Sequence, residues 1–403
     1  MSLIWLTSEQ AAERLGVKPE TLYAYVSRKV LTSEREPGTR RSRYLRADVE
    51  RLAARQRSGG RAGGLEVIVE TQLTRLDPTG HLYYRGWDVE DAVEQAGYEE
   101  VATWLWTAKR DAPVFQAPPG LQKAARAMAG PARTLPPVDT IRAVIVGVRT
   151  ADPMRDDRRP EAIAATGRGM VATVVESLPL TRAVTIRPSD SIAARLWPRL
   201  SPLPPTEANI ATLDATLVLL ADHELAASTF AARVAASTWA DPYLVVLAGL
   251  AALGGPLHGG ASAGARQLLS EIVRGEATVA EAIGRRLRDG QLIPGFGHSV
   301  YRERDPRADV LLERLAADGS MKKLRPAAKV MSTMEQRGLP FANIDFTLAV
   351  LAEANQMVPG ATEVIFAVAR IAGWLAHAAE EYQHRLRFRP RATYVGPVTQ
   401  EFS

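Results

Sequence analysis

Three of the chain's six histidines sit where imidazole chemistry is easy to arrange. His258 lies among four glycines in Gly254-Gly255-Pro256-Leu257-His258-Gly259-Gly260, and His298 closes Pro294-Gly295-Phe296-Gly297-His298. Glycines beside a histidine let backbone N–H groups and a substrate approach closely. His223 follows an apolar run, in Asp222-His223-Glu224. A histidine kept neutral in such a place polarises a carbonyl or shuttles a proton. Zinc competes for the same side chains, but no His-Glu-x-x-His spacing occurs and the chain has no cysteine. The spacing therefore names no metal ligand. Taken singly, each histidine fits a capped loop residue as well as a catalyst.

Two further residues add to the set. Asn343-Ile344-Asp345-Phe346 places one carboxylate beside apolar residues, where a raised pKa suits a general base. A helix N-cap aspartate fits the same pattern. Arg370 is the one formal charge between Val364 and Ala379. A lone guanidinium in an apolar helix needs an anionic partner, either a structural carboxylate or a substrate's.

Positioning these groups falls to a body that reads as helices. From Val89 onward, Ala- and Leu-rich segments repeat at a helical period, with no alternating strand series and no Gly-rich phosphate loop. Ahead of it, Val67 to Thr71 reads as a strand, and Asp77-Pro78-Thr79-Gly80 as a turn. Prolines from Pro131 to Pro137 and from Pro198 to Pro205 predict loops. At 403 residues, 46% hydrophobic and 24% charged, the chain can bury a sizeable core. The lack of cysteine excludes disulfide staples, iron–sulfur clusters and a cysteine nucleophile. The start has no signal-peptide pattern, and the apolar stretch Tyr243 to Leu257 is too short to span a bilayer. Both point to a cytoplasmic protein.

The charge is unevenly placed. Residues 1–64 hold 13 Lys/Arg against 7 Asp/Glu, while the rest of the chain is close to balance. Such asymmetry suits a segment that meets an anionic partner, or merely a solvated basic face. Thr7-Ser8-Glu9-Gln10 predicts a capping box. Gly16-Val17 predicts a turn, and Pro19 to about Arg28 a second helix. A hairpin from Leu31 to Arg35 and Ser42 to Leu45 turns at Pro37-Gly38 and carries Arg40, Arg41 and Arg43. A third helix runs from about Ala47 to Arg57. This order resembles the winged helix-turn-helix of the MerR and excisionase families. The resemblance implies a helix from Pro19 in a major groove, with Arg40, Arg41 and Arg43 against DNA phosphate. A small helical module for protein contacts fits the same residues. Ser58 to Gly64 is a flexible linker by composition.

The body resembles citrate synthase from about Leu65 to Gly396. Five motifs carry the resemblance in order: Ala221-Asp222-His223-Glu224; Gly255-Pro256-Leu257-His258-Gly259-Gly260-Ala261; Pro294-Gly295-Phe296-Gly297-His298 through Asp305-Pro306-Arg307-Ala308; Asn343-Ile344-Asp345-Phe346; and Arg389-Pro390-Arg391. Tyr84-Arg85-Gly86-Trp87-Asp88 is similar to the family's N-terminal signature. The resemblance implies a mainly α, two-domain, all-helical homodimer. It implies condensation of acetyl-CoA or propionyl-CoA with oxaloacetate, the acyl-CoA being a co-substrate and no cofactor being tightly bound. On the same ground His258 matches the donor to the thioester oxygen, Asp345 the base that takes the methyl proton, and His298 the group that polarises the ketone. His223, Arg307 and Arg370 match positions that hold substrate carboxylates, and Arg389 an arginine lent by the neighbouring subunit. Arg302 matches a CoA phosphate contact, and Pro294, Gly295, Phe296 and Gly297 a loop that meets the adenine.

The implied domains are 1–57 for the winged module, 58–64 for the linker, 65–259 and 356–403 for a large domain, and 260–355 for a small one. Ser262 and Thr347 depart from the family's usual residues, which leaves the acyl preference open. A reading of another class is a DNA-binding regulator whose body senses oxaloacetate, citrate or an acyl-CoA. A sensor needs the arginines but not the base, so Asp345 with both histidines favours the enzyme.

Overall fold

The computed structural model describes residues 5–27, 30–36, 39, 42–46, 48, 49, 52, 69–77, 80–132, 134–255, 258–384 and 387–390. Contacts divide the chain into two units, Met1–Glu70 with Arg389–Ser403, and Thr71–Phe388.

In the first unit the Thr7 hydroxyl accepts from the Gln10 N–H, and the Gln10 side chain accepts from the Thr7 N–H. This reciprocal pair opens α1 (Ser8–Leu15), and Gly16 ends it. α2 (Pro19–Ser27) begins at its proline. Three short strands, β1 (Trp5–Thr7), β2 (Ser33–Arg35) and β3 (Ser42–Leu45), pair antiparallel in the order β1-β3-β2. Ala11, Ala12, Leu15, Leu22, Leu31, Tyr44 and Val49 close a small core of their own. Arg40, Arg41, the Pro37-Gly38 turn, the Ser58–Gly64 linker and most of the expected third helix lie outside the described residues.

The second unit starts with a three-stranded meander, β4 (Thr74–Leu76), β5 (Leu82–Tyr84) and β6 (Trp87–Asp88). Of the strand expected at Val67 to Thr71, Val67 and Ile68 lie outside the described residues and Val69 to Thr71 form no strand; the stretch that pairs with Leu82–Tyr84 across the turn is Thr74–Leu76. Helices follow as α3 (Val89–Gln95), α4 (Tyr98–Thr107), α5 (Pro119–Ala132), α6 (Pro137–Ala151), α7 (Pro160–Ser177) and α8 (Ile192–Leu200). Next come α9 (Glu207–Leu220), α10 (Ala227–Ser237), α11 (Pro242–Leu253), α12 (Ala261–Val273) and α13 (Val279–Arg288). The last are α14 (Pro306–Ala317), α15 (Ser320–Lys323), α16 (Arg325–Gln336), α17 (Ile344–Ala354) and α18 (Ala361–His384).

Three of the expected loop prolines are helical instead: Pro137 opens α6, where its missing N–H would have had no helical partner. Pro131 and Pro198 sit inside α5 and α8, each in the last turn, where the loss is one ladder bond and no further turns follow to be kinked. α18 is the axis of the unit and packs on α4, α7, α9, α10 and α11. It is long and apolar enough to cross a membrane by composition, yet it is buried in protein almost throughout. Its burial on all sides explains why its apolar residues show no single stripe.

Candidate active site

Helix ends and loops of the second unit converge on a cavity of about 700 Å³. His223, His258, His298, Arg307, Asp345 and Arg370 all line it, as do Pro294, Gly295, Phe296 and Gly297.

His223 stands just beyond the C-terminus of α9. Tyr84 pins that turn: its hydroxyl donates to the Asp222 carbonyl at 3.0 Å and accepts from the Asp222 N–H at 3.3 Å. Below it runs a buried polar chain. His377 Nδ1 lies 3.0 Å from Arg233, which can only donate, so the ring proton is on Nε2 and is given to Asp222 Oδ2 at 3.2 Å. Arg233 is in turn paired with buried Glu381 at 2.9 Å. His223 Nε2 meets the hydroxyl of Tyr301 at 3.1 Å. Burial, then the positive charges of Arg307 and Arg370, hold the His223 pKa well below its usual value.

His258 ends the turn after α11. Its Nε2 lies 2.7 Å from the hydroxyl of buried Ser228 on α10. With Ser228 donating, the ring proton sits on Nδ1. Gly259 next to it admits no side chain, since a Cβ would come within 2.6 Å of the Leu253 carbonyl oxygen. His298 Nδ1 accepts from the N–H groups of Val300 and Tyr301, at 3.0 and 3.2 Å. Its proton is therefore on Nε2. Burial, assisted by Arg370 for His258 and by Arg307 for His298, lowers both pKa values to about 4. Both rings are neutral donors at neutral pH.

The arginines differ in how they are held. Arg307 begins α14 and is gripped by Asp305: Nε donates to Oδ1 at 3.0 Å and Nη2 to Oδ2 at 2.9 Å. Burial alone would lower its pKa, but the Asp305 carboxylate outweighs that and raises it. Arg370, buried in α18, donates through Nε to the Leu220 carbonyl at 2.8 Å. Its Nη1 and Nη2 have no partner among the described residues, and burial lowers its pKa to about 10. A buried guanidinium with two idle nitrogens is arranged for an anion.

Asp345 lies in the first turn of α17, whose N-cap is Asn343. Burial, with a smaller push from Asp305, raises its pKa to about 7, against the pull of Arg307. Asn343 also ties this turn to the loop that carries His298. Its N–H donates to the Gly295 carbonyl at 2.9 Å, and its Nδ2 to the Gly297 carbonyl at 2.7 Å. Gly295 has φ +83°, and a Cβ there would meet Phe346 at 2.8 Å. One neutral-pH base, two neutral donors and two guanidiniums thus face one cavity. Among the described residues no group of three or more His, Cys, Asp or Glu is placed to hold a metal ion.

Not every expected residue arrives. Arg302 is exposed and does not line the cavity. Arg389 is exposed and groups with the first unit. Arg43 is paired with Glu34 at 2.6 Å and lies over the Trp5 ring at 5.4 Å. Ser262 and Thr347 turn into their own backbone, donating to the carbonyls of Gly259 and Ile344. Sequence reasoning gave no role to Ser228, Tyr301, Asp305 or Phe366, whose ring lines the cavity 4.7 Å from the Arg370 guanidinium, although Tyr301 and Asp305 lie within a quoted motif.

Comparison with known proteins decides the family. Residues 64–391 match the family model described as citrate synthase, C-terminal domain. The chain is 32% identical over 371 residues to citrate synthase 2 of Bacillus subtilis (strain 168), covering 84% of this chain and 97% of that relative. The chain belongs to the citrate synthase family. It is an enzyme of the citrate synthase type, an acyltransferase with a mainly helical body. It is also 29% identical over 369 residues to 2-methylcitrate synthase of Shewanella oneidensis, with 87% of this chain and 96% of that one covered. Among solved structures it is similar to citrate synthase of the thermophilic archaeon Thermoplasma acidophilum in a ternary complex with carboxymethyl coenzyme A and oxaloacetate. That likeness has a TM-score of 0.68 at 27% identity and covers 84% of this chain and 96% of that one. Residues 5–57 match a second family model, described as a helix-turn-helix domain.

Proposed function

We propose that the cavity condenses acetyl-CoA or propionyl-CoA with oxaloacetate, giving citrate or 2-methylcitrate and free CoA. The observation that carries this is the pairing of a base ionised near neutral pH with two neutral histidine donors in one cavity. The Asp345 carboxylate takes a proton from the carbon beside the thioester carbonyl. That carbon is a weak acid, so the step needs its developing oxyanion stabilised as it forms. His258 gives its N–H proton to the thioester oxygen, so that an enol results, and recovers it when the enol carbon attacks. The enol carbon attacks the oxaloacetate ketone, whose oxygen takes the proton of His298 Nε2–H and becomes a hydroxyl; the proton held by Asp345 replaces it through water. Water then cleaves the thioester, releasing CoA and making the sequence irreversible.

His223, Arg307 and Arg370 would hold the oxaloacetate carboxylates, which fixes orientation before the bond forms. Arg389 would come from a second copy of the chain, making the working form a homodimer. The loop from Pro294 to Gly297 would meet the adenine of CoA, with Arg302 near its phosphates. Acyl-CoA enters as a co-substrate. Residues 65–259 with 356–403 would act as a large domain and 260–355 as a small one, closing to exclude water. The chain would work in the cytoplasm.

The first unit would bind DNA through α2 and the arginines Arg40, Arg41 and Arg43. A +6 excess in residues 1–64 supports that reading. Product identification by mass, from oxaloacetate with each thioester in turn, tests the proposal. Citrate or 2-methylcitrate is expected, and the rate ratio between the thioesters sets the acyl preference. A folded protein that binds oxaloacetate, forms neither product and binds DNA in a ligand-dependent way would instead be a sensor.

A further inference from the structure

Asp305 does not line the cavity, yet every hydrogen bond of its carboxylate goes to Arg307 or to the turn that presents Asp345. It is fully buried and caps α14, its Oδ1 accepting from the Arg307 N–H at 3.1 Å. The same oxygen accepts from Arg307 Nε, and Oδ2 accepts from Arg307 Nη2. Oδ2 accepts a fourth bond, from the Ile344 N–H at 3.1 Å. Ile344 is the residue before Asp345 and the first of α17. One carboxylate therefore joins two segments that are far apart in sequence, one bearing a guanidinium and the other the base.

We propose that Asp305 is a positioning residue that fixes the Arg307 guanidinium toward the cavity and locks it in register with the backbone turn presenting Asp345. This rests on the roles given above to Arg307 and Asp345. A bidentate grip removes the rotational freedom of a long side chain, so oxaloacetate meets a guanidinium already aimed. The bond to Ile344 makes the aim of Arg307 and the placement of Asp345 one rigid object. A neutral amide at 305 would keep the side-chain shape and could still cap α14, but it would loosen the grip.

A second effect is electrostatic. Arg307 and Asp305 act on Asp345 from its own side of the cavity; His223, His258, His298, Glu224 and Arg370 line the rest. Of these, Asp305 opposes ionisation of Asp345 and Arg307 favours it. Removing the Asp305 charge lets Asp345 ionise at lower pH.

The test is steady-state kinetics of the full-length protein against pH, with Asp305→Asn and Asp305→Glu. For Asp305→Asn the KM for oxaloacetate should rise about tenfold or more, while the KM for the acyl-CoA stays within about twofold. The acid limb of kcat/KM should move to lower pH, which a merely structural defect would not cause. Asp305→Glu keeps the charge but displaces it, so the KM for oxaloacetate should rise while the acid limb stays nearer the wild type. An unchanged KM for oxaloacetate, or an unmoved acid limb in the Asn variant, overturns the proposal. If the Asn variant does not fold, the Glu variant is judged on its KM for oxaloacetate alone, and an unchanged value overturns it. If the wild type releases no CoA, the assigned reaction fails. Calorimetric oxaloacetate affinity then decides: a tenfold loss in Asp305→Asn supports the positioning role, and equal affinity rejects it.

Discussion

His298 Nε2 and Arg307 Nη2 lie 3.4 Å apart on the cavity wall, and both are donors. His298 has spent its Nδ1 on two backbone N–H groups, so its remaining nitrogen carries the proton. One N–H of Arg307 Nη2 goes to Asp305, and the second, beside the His298 Nε2–H, describes a place for substrate oxygens. His298→Ala should lower kcat by about 10²–10³, as loss of an oxyanion-type donor does. Steady-state rates at saturating acyl-CoA, across oxaloacetate concentrations, check this.

The pH dependence follows from three groups with known signs. Asp345 must be ionised to accept a proton, and its pKa is raised to about 7. His258 and His298 are lowered to about 4, so neither changes charge near neutrality. Activity should therefore fall as pH drops through about 7, with the slope of a single proton. A kcat/KM profile from pH 5 to 9 measures both the midpoint and the slope.

The same carboxyl sets a stability effect of opposite sense. A folded-state pKa above the ordinary 3.8 means the folded protein binds that proton more tightly than the unfolded chain. Its ionisation therefore costs stability as pH rises from about 4 to about 7, and the cost is constant above that. Asp345→Asn should raise the melting temperature at pH 8 and much less at pH 4, with a ceiling of about 4 kcal/mol. Thermal melts of both proteins at the two pH values are sufficient.

Arg370 separates binding from folding. Its two outer nitrogens are buried with no hydrogen-bond partner among the described residues. Replacing it by an apolar side chain of similar length removes a poorly solvated charge, so the fold should lose little. Arg370→Met should raise the KM for oxaloacetate by about 10²-fold, since a charge-assisted bidentate contact is lost. Oxaloacetate should no longer raise its melting temperature, as it should for the wild type.

Of the three hairpin arginines expected at DNA, the described one, Arg43, is already engaged with Glu34 and Trp5. Neutralising Arg40 and Arg41 together should weaken DNA binding and flatten its salt dependence by about two phosphate contacts. Arg43→Ala should change the slope less. Anisotropy titrations of labelled duplex DNA over a range of salt compare the variants. Equal affinity for all of them would remove the DNA reading.

Much of the site could be read from local sequence because its signals are local. Glycines flanking His258 and His298, and one charge in the apolar run around Arg370, need no knowledge of the fold. The capping box at Thr7 and Gln10 is equally local. Partners across the fold left no such mark. Ser228 is 30 residues from His258, and His377 is 155 residues from the Asp222 it orients. Asp305 was visible only as part of a motif; its bond to Ile344 spans 39 residues. Arg302 shows the converse, a motif position that is exposed and off the cavity. Pro131 and Pro198 misled because a proline's effect depends on which helical turn it occupies, and that is set by packing.

The most direct measurement is CoA release from the purified full-length protein, with acetyl-CoA or propionyl-CoA, in the presence and absence of oxaloacetate, beside Asp345→Asn. The account predicts release that requires oxaloacetate and drops by about 10³-fold or more in the variant, whose oxaloacetate affinity is retained. Undiminished release by Asp345→Asn, or none from a folded wild type with either thioester, would contradict it.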